Sequence, residues 1–294
     1  MPTVAYTTFA VRVARTRRLS PSFVRVTFAG ERLDRFADNG FDQRFKLVLP
    51  LPDRGLDGLP TGPDWYPRWR ALPDGERHPV RTYTVRAVRP GEREVDVDMV
   101  LHGDAGPASR FAERASPGDE AVLVGPDAAY PGDHAGVTFT PPPGSRLVVA
   151  GDETAVPAAC SILERLDPRA EGVALLEVPR SADVVEVAAP AGVDVRWLPR
   201  DGAPHGSRLA PAVLRLLDGH PGAPSRDAAS DPDDEDLLWD VPDTAETSSG
   251  RPYVWLAGEA TVLRRLRRQL LGGLGFDRRS VAVMGYWRAG HPGA

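Results

Sequence analysis

The stretch RTYTVR, residues 81–86, sets a cation, an aromatic ring and a hydroxyl at i, i+2 and i+3. An arginine fork grips phosphate oxygens in pairs. A tyrosine offers a flat apolar surface with a polar tip, and a threonine hydroxyl both donates and accepts. A flavin dinucleotide would use all three: Arg81 at its pyrophosphate, Tyr83 along the ring or ribityl chain, Thr84 near N5. The same residues also suit an ordinary strand, with Tyr83 and Val85 inward and Arg81 and Thr84 at the surface. The rest of the chain decides between the two.

A second stretch follows about twenty residues later. DMVLHGDAGPASRFA, residues 98–112, reads as a strand, a glycine-rich turn and a helix start. Uncapped N–H groups at a helix start, with the dipole behind them, attract anions. Gly106 would allow close approach and Ser109 would donate a hydroxyl; a plain helix cap is the alternative. VVAGDETAVPA, 148–158, and WLAGEA, 255–260, repeat the strand–glycine–acid–helix form. Their helix starts would face the phosphates of a second nucleotide. Asp152 and Glu153 repel phosphate, however, and serve equally well as helix caps.

These stretches need a scaffold. The chain has 294 residues, enough for two domains of ordinary size. Hydrophobic residues make up 41%, which supports packed cores, and a net charge of −5 argues against general nucleic-acid binding. One cysteine, Cys160, excludes an internal disulfide and a cysteine metal site, and reads as a core residue. No i, i+4 histidine pair, signal pattern or membrane-length apolar run occurs, so the expectation is a cytoplasmic protein without a resident metal. A monomer is the default.

The first half alternates apolar and polar residues at period two in FAVRVARTRRLS, SFVRVTFAG, FKLVLP, VRTYTVRAV and REVDVDMVLH. Several such strands in about 130 residues predict a closed antiparallel barrel. PPPG, 141–144, marks the boundary. Beyond it strands and helices alternate, predicting a parallel sheet with helices on its faces and ligands at the strand carboxyl ends. The predicted domains are 1–143, a β-barrel that would carry one cofactor, and 144–294, an α/β domain that would carry a nucleotide. Residues 221–250, rich in Asp, Ser, Pro and Gly, read as an acidic, solvated flexible loop. The arginines 264, 265, 267 and 268 read as a solvated helix face, or as a surface steering anions.

RTYTVR, DVDMVLHGDAGPAS, LVVAGDETAVPA, YVWLAGEATVLRRLRR and VMGYWRAG, in this order, resemble the siderophore-interacting protein family over about residues 10–290. These are FAD-containing ferric-siderophore reductases of the ferredoxin-reductase-like superfamily. The resemblance implies FAD held by Arg81, Tyr83 and Thr84, flanked by His102, Gly106, Ala108 and Ser109. It implies a pyridine nucleotide facing Asp152, Glu153 and Thr154, and Gly258, Glu259 and Ala260. It also implies basic residues for an anionic ferric siderophore, for which Lys46, the only lysine, and Arg288 stand at suitable positions. The implied reaction passes electrons from NADPH or NADH through FAD to ferric iron, releasing Fe(II). Arg180 favours NADPH by meeting a 2′-phosphate, against the pull of nearby Glu177 and Asp183. The alternatives are a flavin- and siderophore-binding module reduced by a ferredoxin-type partner, and a general flavin-dependent reductase.

Overall fold

The computed structural model describes residues 4–62, 64–101, 106–218, 238–243, 246 and 251–291. It resolves into two compact units that divide between Val137 and Thr138.

The first unit holds strands β1 (Tyr6–Ser20), β2 (Phe23–Ala29), β3 (Arg44–Val48), β4 (Val80–Thr84), β5 (Ala87–Arg89), β6 (Glu94–Val100) and β7 (Glu120–Pro126). Between β3 and β4 lies helix α1 (Trp65–Arg70), which the sequence pattern did not predict; α2 (Pro107–Arg114) follows β6. The sheet order is β4-β3-β7-β1-β2-β6-β5, every pair antiparallel. Period-two patterning sorts the faces. Val95, Val97 and Met99 of β6 enter a core with Phe9, Phe28, Phe45, Leu47 and Leu123. The alternate residues Glu94, Asp96 and Asp98 meet arginines instead. Asp98 pairs with Arg25 at 2.6 Å, Asp96 with Arg89 at 2.7 Å, and Glu94 with Arg89 at 2.9 Å.

The predicted barrel closes in an unexpected manner. Its edge strands, β4 and β5, are not paired with each other; the sheet is a half-barrel. Consecutive residues of the chain cross the seam: Val85 N–H donates to the Gln43 carbonyl on the β3 side at 2.9 Å, and Arg86 N–H to Asp96 on β6 at 2.9 Å. RTYTVR is therefore the segment that leaves one edge of the sheet and joins the other.

The second unit holds β8 (Leu147–Gly151), α3 (Val156–Leu163), β9 (Gly172–Val178), β10 (Val193–Pro199), α4 (Leu209–Leu217), β11 (Trp239–Asp240), β12 (Tyr253–Glu259), α5 (Ala260–Arg268) and β13 (Val281–Trp287). The order is β10-β9-β8-β12-β13-β11, parallel throughout except for β11. The chain runs outward from β8 to one side and resumes at β12 on the other, so the topological switch point lies between β8 and β12. Every residue of α3 is buried, Cys160 among them. Amphipathic α4 and α5 turn Leu209, Val213, Leu217, Leu263 and Leu266 to the sheet. Among the described residues no helix is long and apolar enough to cross a membrane.

Two expectations are corrected here. Within 221–250, residues 238–240 are not a solvated loop. Leu238 is fully buried, and Trp239–Asp240 forms an antiparallel edge strand on β13, so the sheet is mixed; most of the remaining stretch lies outside the described residues. The arginines of α5 are likewise not all solvated, since Arg264 and Arg267 are buried. Arg267 donates to Asp240 at 2.6 Å, and Arg278 to its other oxygen at 2.8 Å. The acidic composition that suggested a loop includes the counter-charge of a buried guanidinium.

Removing one partner of a buried ion pair leaves charge desolvated without compensation. Asp240→Ala is therefore expected to cost roughly 3 kcal/mol in urea unfolding. A loss below about 0.5 kcal/mol, usual for a surface site, would return the segment to the loop its composition suggests.

Candidate functional site

On β4, Arg81 and Tyr83 share one face and Thr82 and Thr84 the other, because side chains alternate along a strand. Tyr83 and Val85 both pack on the first core, and the Tyr83 ring lies 6.5 Å from Phe45. Arg81 thus shares a face with Tyr83 rather than with Thr84, contrary to the ordinary-strand reading. Burial pushes the Tyr83 phenol up, with Arg81 pulling it back. Arg81 is partly buried and donates to the Val80 carbonyl at 2.8 Å; burial lowers its pKa, though a guanidinium stays charged. Thr84 is buried opposite Arg44. Neither the Tyr83 nor the Thr84 hydroxyl has a hydrogen-bond partner among the described residues.

Helix α2 begins with Pro107 at its first turn and carries no side-chain cap among the described residues. The N–H groups of Ala108 and Ser109 at this start have no capping side chain to accept from them. Ala108 is buried in the core and fixes the helix against the sheet, while Ser109 is partly buried. A Cβ added at Gly106 would meet nothing within 4 Å, and its φ of 175° is ordinary extended backbone. The fold itself does not demand this glycine; the open space beside it does not either. His102 lies outside the described residues. A cation, two unclaimed hydroxyls, an uncapped helix start and open space fit a flavin dinucleotide. Lys46 stands on the face of Thr84 and donates from Nζ to Thr82 Oγ1 at 2.8 Å. Burial and then Arg44 lower its pKa.

The second unit places Asp152 at the switch point. Its Oδ1 accepts from Thr154 N–H at 2.9 Å and Thr154 Oγ1 at 2.6 Å. Its Oδ2 accepts from Glu259 N–H at 2.7 Å and Trp287 Nε1 at 2.9 Å. One carboxylate therefore ties the ends of β8, β12 and β13. Gly258 makes room for it: φ is +145°, and an added Cβ would sit 2.6 Å from the Asp152 carboxylate. Desolvation, then the neighbouring Glu153, pushes the Asp152 carboxyl up to about 6.

Glu153 is buried and accepts both terminal nitrogens of Arg200, at 2.5 and 2.9 Å. Its Oε1 lies 3.4 Å from His205 Nδ1, and the His205 ring stands edge-on to Trp287 at 4.8 Å. Glu177 accepts from the N–H groups of Gly206, Arg208 and Leu209 at 2.7, 2.9 and 2.7 Å, closing the start of α4. Glu259 caps α5 through Val262 N–H at 2.8 Å and accepts Ala289 N–H at 3.2 Å. Ala260 is fully buried. The starts of α4 and α5 thus meet an internal carboxylate, while Asp152 closes the turn before α3, whose Val156 N–H donates to the Asp152 carbonyl at 3.1 Å; Asp152, Glu153 and Glu259 spend their oxygens inside the fold. Exposed beside them are Arg180 and Arg208, neither in an ion pair among the described residues. Ser181 between them holds the Asp201 carboxylate through its N–H at 2.8 Å and its hydroxyl at 2.7 Å. Arg288 is partly buried and forms a bridge with His291.

Comparison with known proteins now bears on this geometry. The siderophore-interacting FAD-binding domain profile matches residues 12–130, and the siderophore-interacting protein profile matches residues 144–290. The chain belongs to the siderophore-interacting protein family. An uncharacterized Mycobacterium tuberculosis protein is 34% identical over 96% of this chain and 90% of its own length. Ferric vibriobactin reductase of Vibrio cholerae is 28% identical, covering 94% of this chain and 88% of its own. An NADPH-dependent ferric-chelate reductase of Escherichia coli is 29% identical, covering 94% and 91%. The crystal structure of a siderophore utilization protein from T. fusca aligns with a TM-score of 0.74 at 31% identity, covering 99% of this chain and 96% of that one. A ferredoxin reductase of carbazole 1,9a-dioxygenase, at 14% identity and a TM-score of 0.60, shares the fold; it covers 98% of this chain and 71% of its own.

Within this siderophore-interacting protein, sequence reasoning missed Arg200, His205 and Arg208, and saw Glu177 only as an obstacle to phosphate. Their partners lie far along the chain: Arg200 meets Glu153 across 47 residues. Only their positions just after strand ends could have pointed to them.

The raised Asp152 value carries a sign. Its folded-state pKa exceeds that of the unfolded chain, so its stabilising contribution is present at low pH and lost as pH rises through about 6. Asp152→Asn removes this titration but turns an amide NH2 toward two donors. Expected are a loss of roughly 1–3 kcal/mol per stranded donor at pH 7, and a flatter stability profile between pH 3.8 and about 6. A variant as stable as the parent would show that the clasp does not hold the strand ends together.

Proposed function

We propose that the protein is a cytoplasmic, monomeric reductase of ferric siderophores. FAD seats on the first unit, a pyridine nucleotide on the second supplies the electrons, and Fe(II) leaves the chelate. The observation that carries this reading is the near-full-length likeness to two named ferric reductases, on a chain whose β4 and α2 leave flavin-binding groups unclaimed. Bound flavin supplies the exchange between a two-electron donor and one-electron iron chemistry.

The chain's own residues bind and orient. Arg81 grips the pyrophosphate together with the N–H groups of Ala108 and Ser109, in the space beside Gly106; His102 is assigned to the same region by the family resemblance alone. Tyr83 lines the flavin and Thr84 offers its hydroxyl at the ring edge. Lys46 and Arg288 draw in the anionic chelate. Asp152, Glu153, Thr154, Gly258, Glu259 and Ala260 shape the nucleotide edge by fixing its turns. Since carboxylates close the starts of α4 and α5 and the turn before α3, a nucleotide phosphate is held by side chains instead. Arg180 and Arg208 suit a 2′-phosphate, which favours NADPH over NADH and agrees with the donor named for the Escherichia coli relative. Reduction of ferric iron transfers only electrons, so no nucleophile or proton shuttle is assigned.

The purified protein is expected to be yellow, to bleach anaerobically with NADPH faster than with NADH, and to reduce ferric siderophores in the presence of a ferrous trap. Bleaching by reduced ferredoxin alone would move the donor role to a protein partner. A colourless protein after incubation with FAD would end the reading.

Two substitutions sharpen it. Arg81→Ala is expected to weaken FAD binding about tenfold or more, roughly 1.4 kcal/mol, with the fold's circular dichroism unchanged. Arg180→Ala is expected to raise the KM for NADPH about tenfold and leave that for NADH within twofold. Equal effects on both nucleotides would remove the 2′-phosphate assignment.

A further inference from the structure

Phe41 holds a backbone conformation that its side chain opposes. Its φ is +47°, in the left-handed region. Glycine enters that region freely, whereas a bulky residue there is an outlier. A glycine is available next door, since Gly40 has φ +78°, yet the chain places the aromatic residue in the strained position. The turn is firmly tied. Gln43 N–H donates to the Gly40 carbonyl at 3.1 Å, Gly40 N–H to Asp38 Oδ1 at 3.1 Å, and Gln43 Nε2 to the Ala37 carbonyl at 3.0 Å. Asp42 beside it is fully buried. Phe41 itself is only partly buried, so it is not simply a core anchor.

Its location gives the strain a use. β3 starts at Arg44, which pairs with Thr84, and the Gln43 carbonyl accepts Val85 N–H at 2.9 Å. The turn carrying Phe41 therefore leads into the point where RTYTVR crosses the seam, two residues before the carbonyl that Val85 reaches. Strained residues persist where surrounding structure over-determines them, and they gather at ligand sites.

We propose that Phe41 is a flavin-contact residue, whose ring forms part of the wall seating the flavin ring system beside Thr84. The inference rests on the flavin-site reading above and adds a residue to it. The left-handed turn is the conformation that presents this ring. Arg81, Tyr83 and Thr84 supply charge, surface and hydroxyl from β4; Phe41 supplies an apolar wall from the loop before β3.

The test uses full-length apo-protein, FAD titration by fluorescence quenching, and thermal melting. Phe41→Gly relieves the backbone and removes the ring. Its apo form is expected to melt higher than the parent, while its Kd for FAD rises tenfold or more. Phe41→Tyr keeps an aromatic ring and is expected to bind FAD within about threefold of the parent. A Phe41→Gly chain that binds FAD as tightly as the parent overturns the proposal. So does one whose apo form melts lower, because the ring would then be a packing element. Failure of the parent itself to bind FAD would instead overturn the flavin site as a whole, so the two failures are distinguishable.

Discussion

The first unit depends on how an open sheet is closed. A half-barrel with edges β4 and β5 exposes two rows of unpaired backbone groups, a liability in any sheet. Here the chain itself runs from one edge strand to the other: Val85 extends the pairing with the β3 side and Arg86 begins the pairing with β6. The crossing fixes its neighbours. Arg81 and Tyr83 must lie on the face that meets the core, Thr84 on the face that meets Arg44, and no register slip can exchange them without breaking both edges. The chemistry-bearing residues thus sit where the backbone has least freedom, as a pre-organised cofactor site requires. The acids of β6 extend the same constraint, since Asp96 takes Arg86 N–H on its carbonyl and Arg89 on its carboxylate.

The second unit faces a different problem. Three helices start along the carboxyl edge of its sheet, and each start presents N–H groups without intrahelical partners. Many nucleotide-binding sheets leave such groups to a phosphate. This one answers two of them with Glu177 and Glu259, and closes the turn before the third with Asp152. The turns are then rigid without a ligand. The cost is desolvated negative charge, visible in the raised Asp152 carboxyl and offset at Glu153 and Glu177 by the buried Arg200. Cationic side chains outside the turns are left to attract an anion.

Much of this was legible in the sequence, for identifiable reasons. A short apolar run located β7 to the residue, because that strand is buried on both faces, and the alternation of strands with helices located β10 at 193–199. The alternation of strand and helix located the second sheet, and Gly151 and Gly258 located the turns that end β8 and β12. What stayed hidden depended on partners distant in sequence. Asp240 looks solvated among other acids until Arg267 and Arg278 are brought to it. The arginines of α5 look like a wet face because charge patterning does not say which guanidinium finds a carboxylate. Helix α1 is six residues with an internal proline, too short for a helical period to emerge. The crossing at Val85 was invisible because a strand that changes partners reads like one that does not.

The two units illustrate opposite treatments of unsatisfied polar groups. In the second, nearly every buried acid is spent on the fold, and Asp152 and Glu259 have no oxygen without a donor. In the first, Tyr83 and Thr84 keep hydroxyls that nothing among the described residues uses, and α2 starts without a side-chain cap. A folded chain tolerates such groups where water or a ligand completes them. Their concentration at β4 and α2 is what favours the proposed cofactor site over the ordinary strand that RTYTVR would otherwise be. An electron-transfer protein has little else to build: once a redox group is seated and its edge left accessible, attraction of an anionic chelate needs only cations placed nearby.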